Sequence, residues 1–214
     1  MLVLIDYGMG NLRSVEKAFR KLGCEIKPSS SARDVEDASA LVLPGVGAFP
    51  DCVKNLERFG LVTPLLNAIK AGKPFLGICL GFQVLFEESE EFGPCPGLAV
   101  FAGKVKRFSD HMPDPGSKNG AFLKVPHMGW NAVKLRKNHP ALEGILSGSF
   151  FYFLHSFYVS PADPGLVATE TNYGIDFASA IAKDNVIATQ FHPEKSQQKG
   201  LKLLDNFAKM AGAK

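Results

Sequence analysis

The stretch GKPFLGICLGF (residues 72–82) decides the fold class of this 214-residue chain. Residues 74–79 form a continuous apolar run of the length of a buried strand, and residues 80–88 have a helical pattern. A buried strand that passes directly into a helix is typical of α/β proteins with a parallel sheet. We therefore predict a parallel strand here, with the helix packed against one face of the sheet.

The rest of the first half repeats this alternation of strand and helix. Asn11 is placed to cap a helix that ends at Gly23. The other predicted elements are strands at residues 2–6 and 40–43 and helices at residues 52–59 and 63–71. Apolar runs without alternating polar residues are typical of strands covered on both faces. The fold class predicted is α/β, with helices on both sides of a sheet.

The second half predicts an extension of the same sheet, because short strand patterns follow one another with turn residues between them. These strands are predicted at residues 100–107, 131–136, 150–159, 166–171, 178–183 and 186–192. Residues 109–120 are rich in Pro, Gly, Asp and Ser, which favours an exposed loop, and a helix from about Ser196 closes the chain. With no repeat and no linker, one domain spanning residues 1–214 is the simplest interpretation.

The composition excludes several classes of function. The chain is 46% hydrophobic and 21% charged, as in globular proteins, and its net charge of +3 comes without a Lys/Arg run, so we expect no nucleic-acid partner. No apolar run reaches the roughly 18 residues of a membrane span, and the start, MLVLID, has no signal-peptide pattern. We expect a cytoplasmic protein without a membrane partner.

The cysteines point to chemistry rather than to structure. The four cysteines include no CxxC pair, so neither a metal site nor a disulfide framework is expected, and no cofactor is predicted. The segment Gly77-Ile78-Cys79-Leu80-Gly81 is a G-x-C-x-G form of the nucleophile elbow. Such a turn exposes the side chain of its central residue, and the start of the following helix favours a thiolate. Taken alone, the motif fits a buried structural cysteine about equally well.

A cysteine nucleophile needs a base, and the base needs a group that orients it. His192 follows an apolar strand, in the run Phe191-His192-Pro193-Glu194. Residues two apart in an extended chain project to the same side, so His192 and Glu194 can face one site. Ligand sites in parallel sheets gather at the carboxyl ends of the strands, where Cys79 is also predicted. We therefore predict a triad of Cys79, His192 and Glu194.

The other histidines and one acidic run are predicted to be outside the chemistry. His155 lies in an aromatic strand and is expected to be packed or to line the site, while His111 and His139 are expected to be exposed in loops. His127 lies too far from any predicted strand end to be placed near the site. The acidic run at residues 87–91 is interpreted as a solvated face, as charge runs usually are.

A flexible glycine segment follows the second predicted strand. Gly45 and Gly47 flank Val46, so the backbone can approach a substrate closely and donate an N–H to an oxyanion, together with the backbone N–H of Leu80. By itself, the segment also fits an ordinary strand-to-helix turn.

These segments together resemble the class I glutamine amidotransferases. The resemblance is carried by PGVGAF (residues 44–49), GKPFLGICLGFQVLFE (residues 72–87) and ATQFHPEKS (residues 188–196). Within that family, DYGMGNLRSV (residues 6–15), PHMGWN (residues 126–131) and FYFLHSFY (residues 151–158) are most similar to glutaminase subunits of imidazole glycerol phosphate synthases. The resemblance implies a three-layer α/β/α, flavodoxin-like fold with a mixed, mainly parallel sheet.

The resemblance also implies roles for individual residues. Cys79 would form a γ-glutamyl thioester with glutamine, His192 would transfer protons, and Glu194 would hold the imidazole. Gly45, Val46, Gly47 and Leu80 would meet the oxyanion. The residues implied to contact bound glutamine are Gly47, Gln83, Ser156 and Phe157.

The partner implied by the resemblance is a (β/α)₈-barrel cyclase subunit that receives the ammonia, in a heterodimer. Asn11, Met128, Trp130 and Lys195 would then lie near the docking face. A misoriented oxyanion strand, corrected by the loaded partner, is a further hypothesis, since two glycines permit a peptide flip.

Three alternatives stay open from the sequence. One is another amidotransferase with a different partner, such as the glutaminase subunit for pyridoxal phosphate synthesis. Another is a γ-glutamyl hydrolase acting alone. The third is a non-catalytic scaffold, against which the presence of Cys79, His192 and Glu194 argues.

Overall fold

The computed structural model describes residues 1–117 and 119–213. Lys118, inside the loop predicted at residues 109–120, and Lys214, at the end of the predicted domain, lie outside the described residues. The strands are β1 (Leu2–Ile5), β2 (Ile26–Ser29), β3 (Ala40–Gly45), β4 (Phe75–Cys79), β5 (Phe86–Ser89), β6 (Cys95–Pro96), β7 (Phe101–Arg107), β8 (His127–Leu135), β9 (Ser149–His155), β10 (Phe157–Pro161), β11 (Val167–Asn172), β12 (Asp176–Lys183) and β13 (Val186–Thr189). The helices are α1 (Leu12–Lys21), α2 (Ala32–Asp37), α3 (Phe49–Arg58), α4 (Val62–Lys70), α5 (Leu80–Gln83) and α6 (Gln197–Met210).

The sheet has a parallel half and an antiparallel half. Strands β2, β1, β3, β4 and β13 lie side by side in that order, all parallel. Beyond β13 the sheet continues through β12, β10 and β7 with antiparallel pairing. The parallel strands β1, β3, β4 and β13 are buried along their length, as the apolar runs predict. The mixed, mainly parallel sheet of the sequence prediction is therefore confirmed.

Helices cover both faces of the parallel half. On one face α1 packs with α6, and their Phe19 and Phe207 rings meet edge to face at 6.4 Å between centroids. On the other face α2, α3 and α4 pack through buried Val35, Leu56 and Leu65. The α1 helix starts after Asn11 as predicted, but the Asn11 side chain makes no capping hydrogen bond. The three-layer α/β/α arrangement of the sequence prediction is confirmed.

The predicted helix at residues 80–88 was wrong beyond its first turn. Helix α5 ends at Gln83, and the chain then forms β5, which pairs with β7 through Phe86 and Ser89. Both of those side chains are buried, so pairing in the sheet overrides the helical pattern. Most of the acidic run consequently lies on a strand between β7 and β6 instead of on a helix.

Other differences concern boundaries and missed elements. The strand predicted at residues 40–43 continues through Pro44 and Gly45. The strand predicted at residues 186–192 ends earlier, at Thr189. The strand predicted at residues 150–159 is divided into two strands at Ser156. Strand β2 was missed because only its two end residues are buried, and α2 was missed because it is only six residues long. None of the helices in the described part of the chain is long and apolar enough to cross a membrane.

A hairpin of two strands, β8 and β9, lies beside the carboxyl ends of the parallel strands. Strands β8 and β9 pair in register from His127 with His155 to Val133 with Ser149, and β8 also pairs with β11. The backbone N–H of His192 donates to the carbonyl of Tyr152 in β9 at 2.9 Å. The hairpin is thereby fixed next to the segment that follows β13.

Candidate active site

Cys79 stands at the sharp turn between β4 and α5. Its φ of 55° and ψ of −107° lie in a region that L-residues rarely adopt, which is the strain expected of a nucleophile elbow. The flanking glycines make this turn possible, because a Cβ on Gly77 would lie 2.6 Å from the carbonyl oxygen of Gly81 and one on Gly81 would lie 1.9 Å from that of Leu43. The geometry therefore requires glycine at both positions.

His192 reaches Cys79 because their strands are neighbours. Strand β13 pairs in parallel with β4, and Thr189 stands opposite Ile78. The segments that follow the two strands therefore leave the sheet at the same end. After β13 the chain enters a short 3-10 turn at Pro193–Lys195. The Ser196 hydroxyl donates to the carbonyl oxygen of His192 at 2.6 Å and accepts from the N–H of Tyr152 at 3.0 Å. Two strands and a turn thus fix the imidazole.

Glu194 orients the ring from the other side. Its Oε1 lies 2.9 Å from Nδ1 of His192, with side-chain exposures of 1% and 3% respectively. Burial of the ring acts to lower the pKa of His192. The charge and hydrogen bond of Cys79 and the hydrogen bond and charge of Glu194 outweigh it, and the pKa rises to about 10. The raised pKa favours the imidazolium form of His192, and the carboxylate sets which ring nitrogen faces the sulfur.

The glycine segment after β3 lies alongside the nucleophile. Gly45 stands opposite Cys79 in the β3–β4 register, and a Cβ there would lie 2.5 Å from Cβ of Leu80. Val46 is 40% exposed, and Gly47 has a φ of +99°. Leu80, the first residue of α5, completes this group of backbone segments around the sulfur.

One cavity of about 260 Å³ is lined by Cys79, His192, Val46, Gly47 and Leu80, but not by Gly45 or Glu194. Ser156 and Phe157, at the break between β9 and β10, line it as well, and so does Gln83. The sequence analysis missed three other lining residues, Glu91, Pro126 and Leu154. His155 was expected to be packed or to line the site, and it is buried at the cavity wall. Lys195, which was assigned to the docking face, lines the cavity as well. Glu91 also corrects the interpretation of residues 87–91, because its half-buried carboxylate accepts from the N–H of Phe49 at 2.7 Å.

Gln83 has both amide hydrogens engaged inside the protein. Its Nε2 donates to the carbonyl oxygen of Phe157 and to Oε1 of Gln190, each at 3.0 Å. Its Oε1 is therefore the part of the side chain that remains for a ligand in the cavity.

Comparison with known proteins identifies the family. The sequence matches the family described as "Glutamine amidotransferase class-I" over residues 3–211. This chain belongs to the class-I glutamine amidotransferases. It is 51% identical over 210 residues to the "Imidazole glycerol phosphate synthase subunit HisH" of Syntrophotalea carbinolica, covering 98% of this chain and 100% of that protein. It is also 50% identical to the protein of the same name from Aquifex aeolicus, covering 98% and 96%.

Solved amidotransferase structures share the fold at low identity. One described as a crystal structure of a glutamine amidotransferase superposes with a TM-score of 0.73 at 22% identity, covering 98% of both chains. The structure of PurLQS from Thermotoga maritima gives a TM-score of 0.71 at 16% identity, covering 97% of both chains. At such identities the superpositions establish the fold alone.

Of the four residues implied to dock a partner to this amidotransferase, Lys195 lines the cavity, while Met128 and Trp130 lie on the hairpin and Asn11 precedes α1. Met128 is 67% exposed and Trp130 is 45% exposed, and they stand opposite Leu154 and Tyr152 in the hairpin. The Nζ of Lys195 lies 5.6 Å from the Tyr152 ring centroid. Asn11 starts α1, which packs against the turn that carries Lys195.

The sequence analysis predicted the surroundings of the amidotransferase's remaining histidines only in part. His127 is buried, and its Nδ1 lies 2.9 Å from Nε2 of His155 on the opposite strand. No strand end was predicted near His127, so this pair was missed. His111 is exposed as expected. His139 is half-buried, contrary to expectation, because its Nδ1 accepts from the N–H of Ala141 to begin a 3-10 turn.

Proposed function

We propose that this protein is the glutaminase subunit of an imidazole glycerol phosphate synthase, with residues 1–214 as one glutaminase domain. It hydrolyses glutamine to glutamate and ammonia and passes the ammonia to a cyclase subunit. The cyclase forms imidazole glycerol phosphate and aminoimidazole carboxamide ribotide in histidine biosynthesis. The observation that carries the chemistry is the presence of Cys79 and His192 at one cavity, with the Glu194 carboxylate 2.9 Å from Nδ1 of His192. The relatives at about 50% identity carry the choice of synthase.

Acylation begins from the thiolate–imidazolium pair. The Cys79 sulfur attacks the side-chain amide carbon of glutamine, and negative charge develops on the amide oxygen. We assign the stabilisation of that charge to the backbone N–H groups of Leu80 and of the Gly45–Val46–Gly47 segment. The His192 imidazolium gives its proton to the amide nitrogen, the C–N bond breaks, and ammonia leaves a γ-glutamyl thioester.

Deacylation uses the same groups in the opposite sense. Neutral His192 accepts a proton from water while the water oxygen bonds to the thioester carbon. The C–S bond then breaks with its electron pair on sulfur, which restores the thiolate–imidazolium pair and releases glutamate. Glu194 keeps Nδ1 of the ring engaged through both steps, so that the other nitrogen serves Cys79 and the substrate.

Substrate selection follows from the polar groups of the cavity. A glutamine zwitterion brings an ammonium, a carboxylate and a side-chain amide. We assign the Glu91 carboxylate and Oε1 of Gln83 to the donor groups of the substrate, because both are acceptors on the cavity wall. The backbone at Gly47, Ser156 and Phe157 closes the remaining wall.

The exposed apolar side chains beside the cavity favour a protein partner there. Met128 and Trp130 lie close to the site, and with Asn11 and Lys195 they form the docking face we propose for a (β/α)₈-barrel cyclase. Delivery across such a face keeps ammonia from water, where it would become ammonium and lose its nucleophilicity. A reducing compartment protects a catalytic thiolate from oxidation, so the proposal places the protein in the cytoplasm.

Ammonia release from glutamine tests this function. The purified chain is assayed alone, with the cyclase subunit, and with the cyclase subunit loaded with its nucleotide, and Cys79→Ala serves as the inactive control. Release that rises strongly only with the loaded cyclase supports the synthase and a partner-corrected oxyanion strand. Equal rates with and without it would refute the coupling. Fast release from the chain alone would instead identify a stand-alone hydrolase, and no release with any cyclase would point to another partner.

A further inference from the structure

The sulfur of Cys79 has two polar neighbours besides His192: the carbonyl oxygen of Leu154, 3.8 Å from Sγ, and the side chain of Gln190. Gln190 follows β13, its side chain is fully buried, and its Nε2 donates to Sγ of Cys79 at 3.5 Å. The residue does not line the cavity, so it approaches the sulfur from within the protein. None of the steps derived above uses this contact.

The orientation of the Gln190 amide is fixed by its neighbours. Nε2 of Gln83 donates to Oε1 of Gln190 at 3.0 Å, which forces the oxygen of Gln190 toward Gln83 and its NH₂ group toward the sulfur. Gln83 is itself held by the carbonyl oxygen of Phe157, which lies 2.7 Å from Nδ1 of His155. A rotated Gln190 amide would place two NH₂ groups face to face.

A buried amide of this kind must find partners, and here one of them is the nucleophile. A thiolate accepts a hydrogen bond far better than a thiol or a thioester sulfur does, because its charge is localised on sulfur. The contact therefore stabilises the states in which sulfur is anionic: the resting nucleophile and the leaving group of deacylation. An amide donor does not titrate, so it acts whichever protonation state His192 has.

We propose that Gln190 is a further catalytic residue, whose side-chain N–H stabilises the Cys79 thiolate both as nucleophile and as leaving group. The inference deepens the proposed glutaminase function and rests on it. A competing role is purely structural: Gln190 would only orient Gln83, and the sulfur would be indifferent to its loss.

Alkylation of Cys79 by iodoacetamide at fixed pH separates the two roles, because the reagent needs a thiolate but neither glutamine nor a partner. Gln190→Met keeps the approximate shape and removes the donor. We expect its alkylation rate, followed on the Cys79 peptide by mass spectrometry, to fall about tenfold, as for loss of one hydrogen bond to a charged group. In glutamine turnover with the loaded cyclase, kcat should fall by a similar factor, since the sulfur is a poorer leaving group.

The matched control is Ser179→Ala, a change in the adjacent strand β12. The Ser179 side chain is buried and bonded to the Thr169 hydroxyl, while its backbone carbonyl accepts from the N–H of Gln190. This variant loses a buried polar contact near Gln190 without touching the sulfur, and its alkylation rate should match the wild type.

A wild-type rate of Cys79 alkylation in folded Gln190→Met, together with a raised KM for glutamine, would overturn the proposal. Gln190 would then only orient Gln83. If Gln190→Met does not fold, Gln190→Asn provides the test, because the shorter amide withdraws the donor from the sulfur while remaining polar. A native rate in folded Gln190→Asn would equally contradict the proposal. Wild-type ammonia release is measured independently, so failure of this inference is distinguishable from failure of the proposed function.

Discussion

Two segments that meet at the sulfur differ sharply in how firmly they are held. In the elbow of Gly77, Cys79 and Gly81, backbone atoms of α5 and β3 lie so close to the two glycines that no Cβ fits on either. The segment of Val46 and Gly47 is exposed, and a Cβ on Gly47 would meet only the end of the Met9 side chain. The elbow is therefore preformed, whereas the proposed oxyanion donors lie on an exposed segment with room to change its conformation.

The largest expected effect comes from removing the nucleophile itself. Cys79→Ala should lower glutamine hydrolysis by at least about 10⁴-fold while leaving the protein folded. Cys79→Gly should be equally inactive but about 1 kcal/mol more stable than Cys79→Ala, since glycine adopts the positive φ without strain. Ammonia release and urea unfolding measure both quantities. Equal stability of the two variants would show that the elbow stores no strain.

The packing of the elbow predicts the next effect. Gly81→Ala should cost about 3 kcal/mol or more of unfolding free energy, because its Cβ would lie 1.9 Å from a backbone oxygen that cannot move aside. Gly23→Ala is the control, with a φ of +74° and no atom within 4 Å of the added Cβ. It should cost only about 1 kcal/mol. Similar losses in the two variants would refute the close packing.

The buried pair of His127 and His155 lies behind the cavity wall, where His155 lines the cavity. Burial is the main cause that lowers the pKa of His127 to about 4 and that of His155 to about 3, and the charge of His192 lowers the latter further. Both rings are therefore neutral in the folded protein. Their contribution is fully present above the unfolded value of 6.5 and is lost as the pH falls toward 4.

Each ring should contribute about 2 kcal/mol to the loss of stability between pH 7 and pH 5. Replacing His127 by Asn should remove about that much of the pH dependence of urea unfolding. His111→Asn, at an exposed loop position, should leave the pH dependence as in the wild type. An unchanged pH dependence in His127→Asn would show that burial does not lower the pKa of His127 in the folded protein.

The sequence predicts the preformed part of the site better than its surroundings. The elbow and the run from His192 to Glu194 could be placed because they follow apolar strands of a parallel sheet, whose carboxyl ends must converge. The pairing of His127 with His155 and the cavity position of Glu91 could not, since they depend on the register of β8 with β9 and on where β5 replaces a helix. Such long-range pairings leave no local pattern in the sequence.

The smallest expected change in stability is in the exposed segment of Val46 and Gly47. Gly47→Ala should cost about 1 kcal/mol of unfolding free energy, because the residue has a φ of +99° and the only close atom, the Met9 methyl group, can move. Cys79 alkylation in the free chain should stay at the wild-type rate, since the elbow is untouched.

Ammonia release from Gly47→Ala with the loaded cyclase should nevertheless fall about 10²-fold, as for loss of one oxyanion donor, because alanine restricts the backbone that must turn its N–H toward the oxyanion. Gly72→Ala, which has a similar positive φ of +81° in a turn and no atom within 4 Å of the added Cβ, controls for strain alone. A parallel loss of alkylation in Gly47→Ala would mean that the two segments form one rigid unit. Full activity in the presence of the partner would mean that the oxyanion is met without the Gly47 backbone.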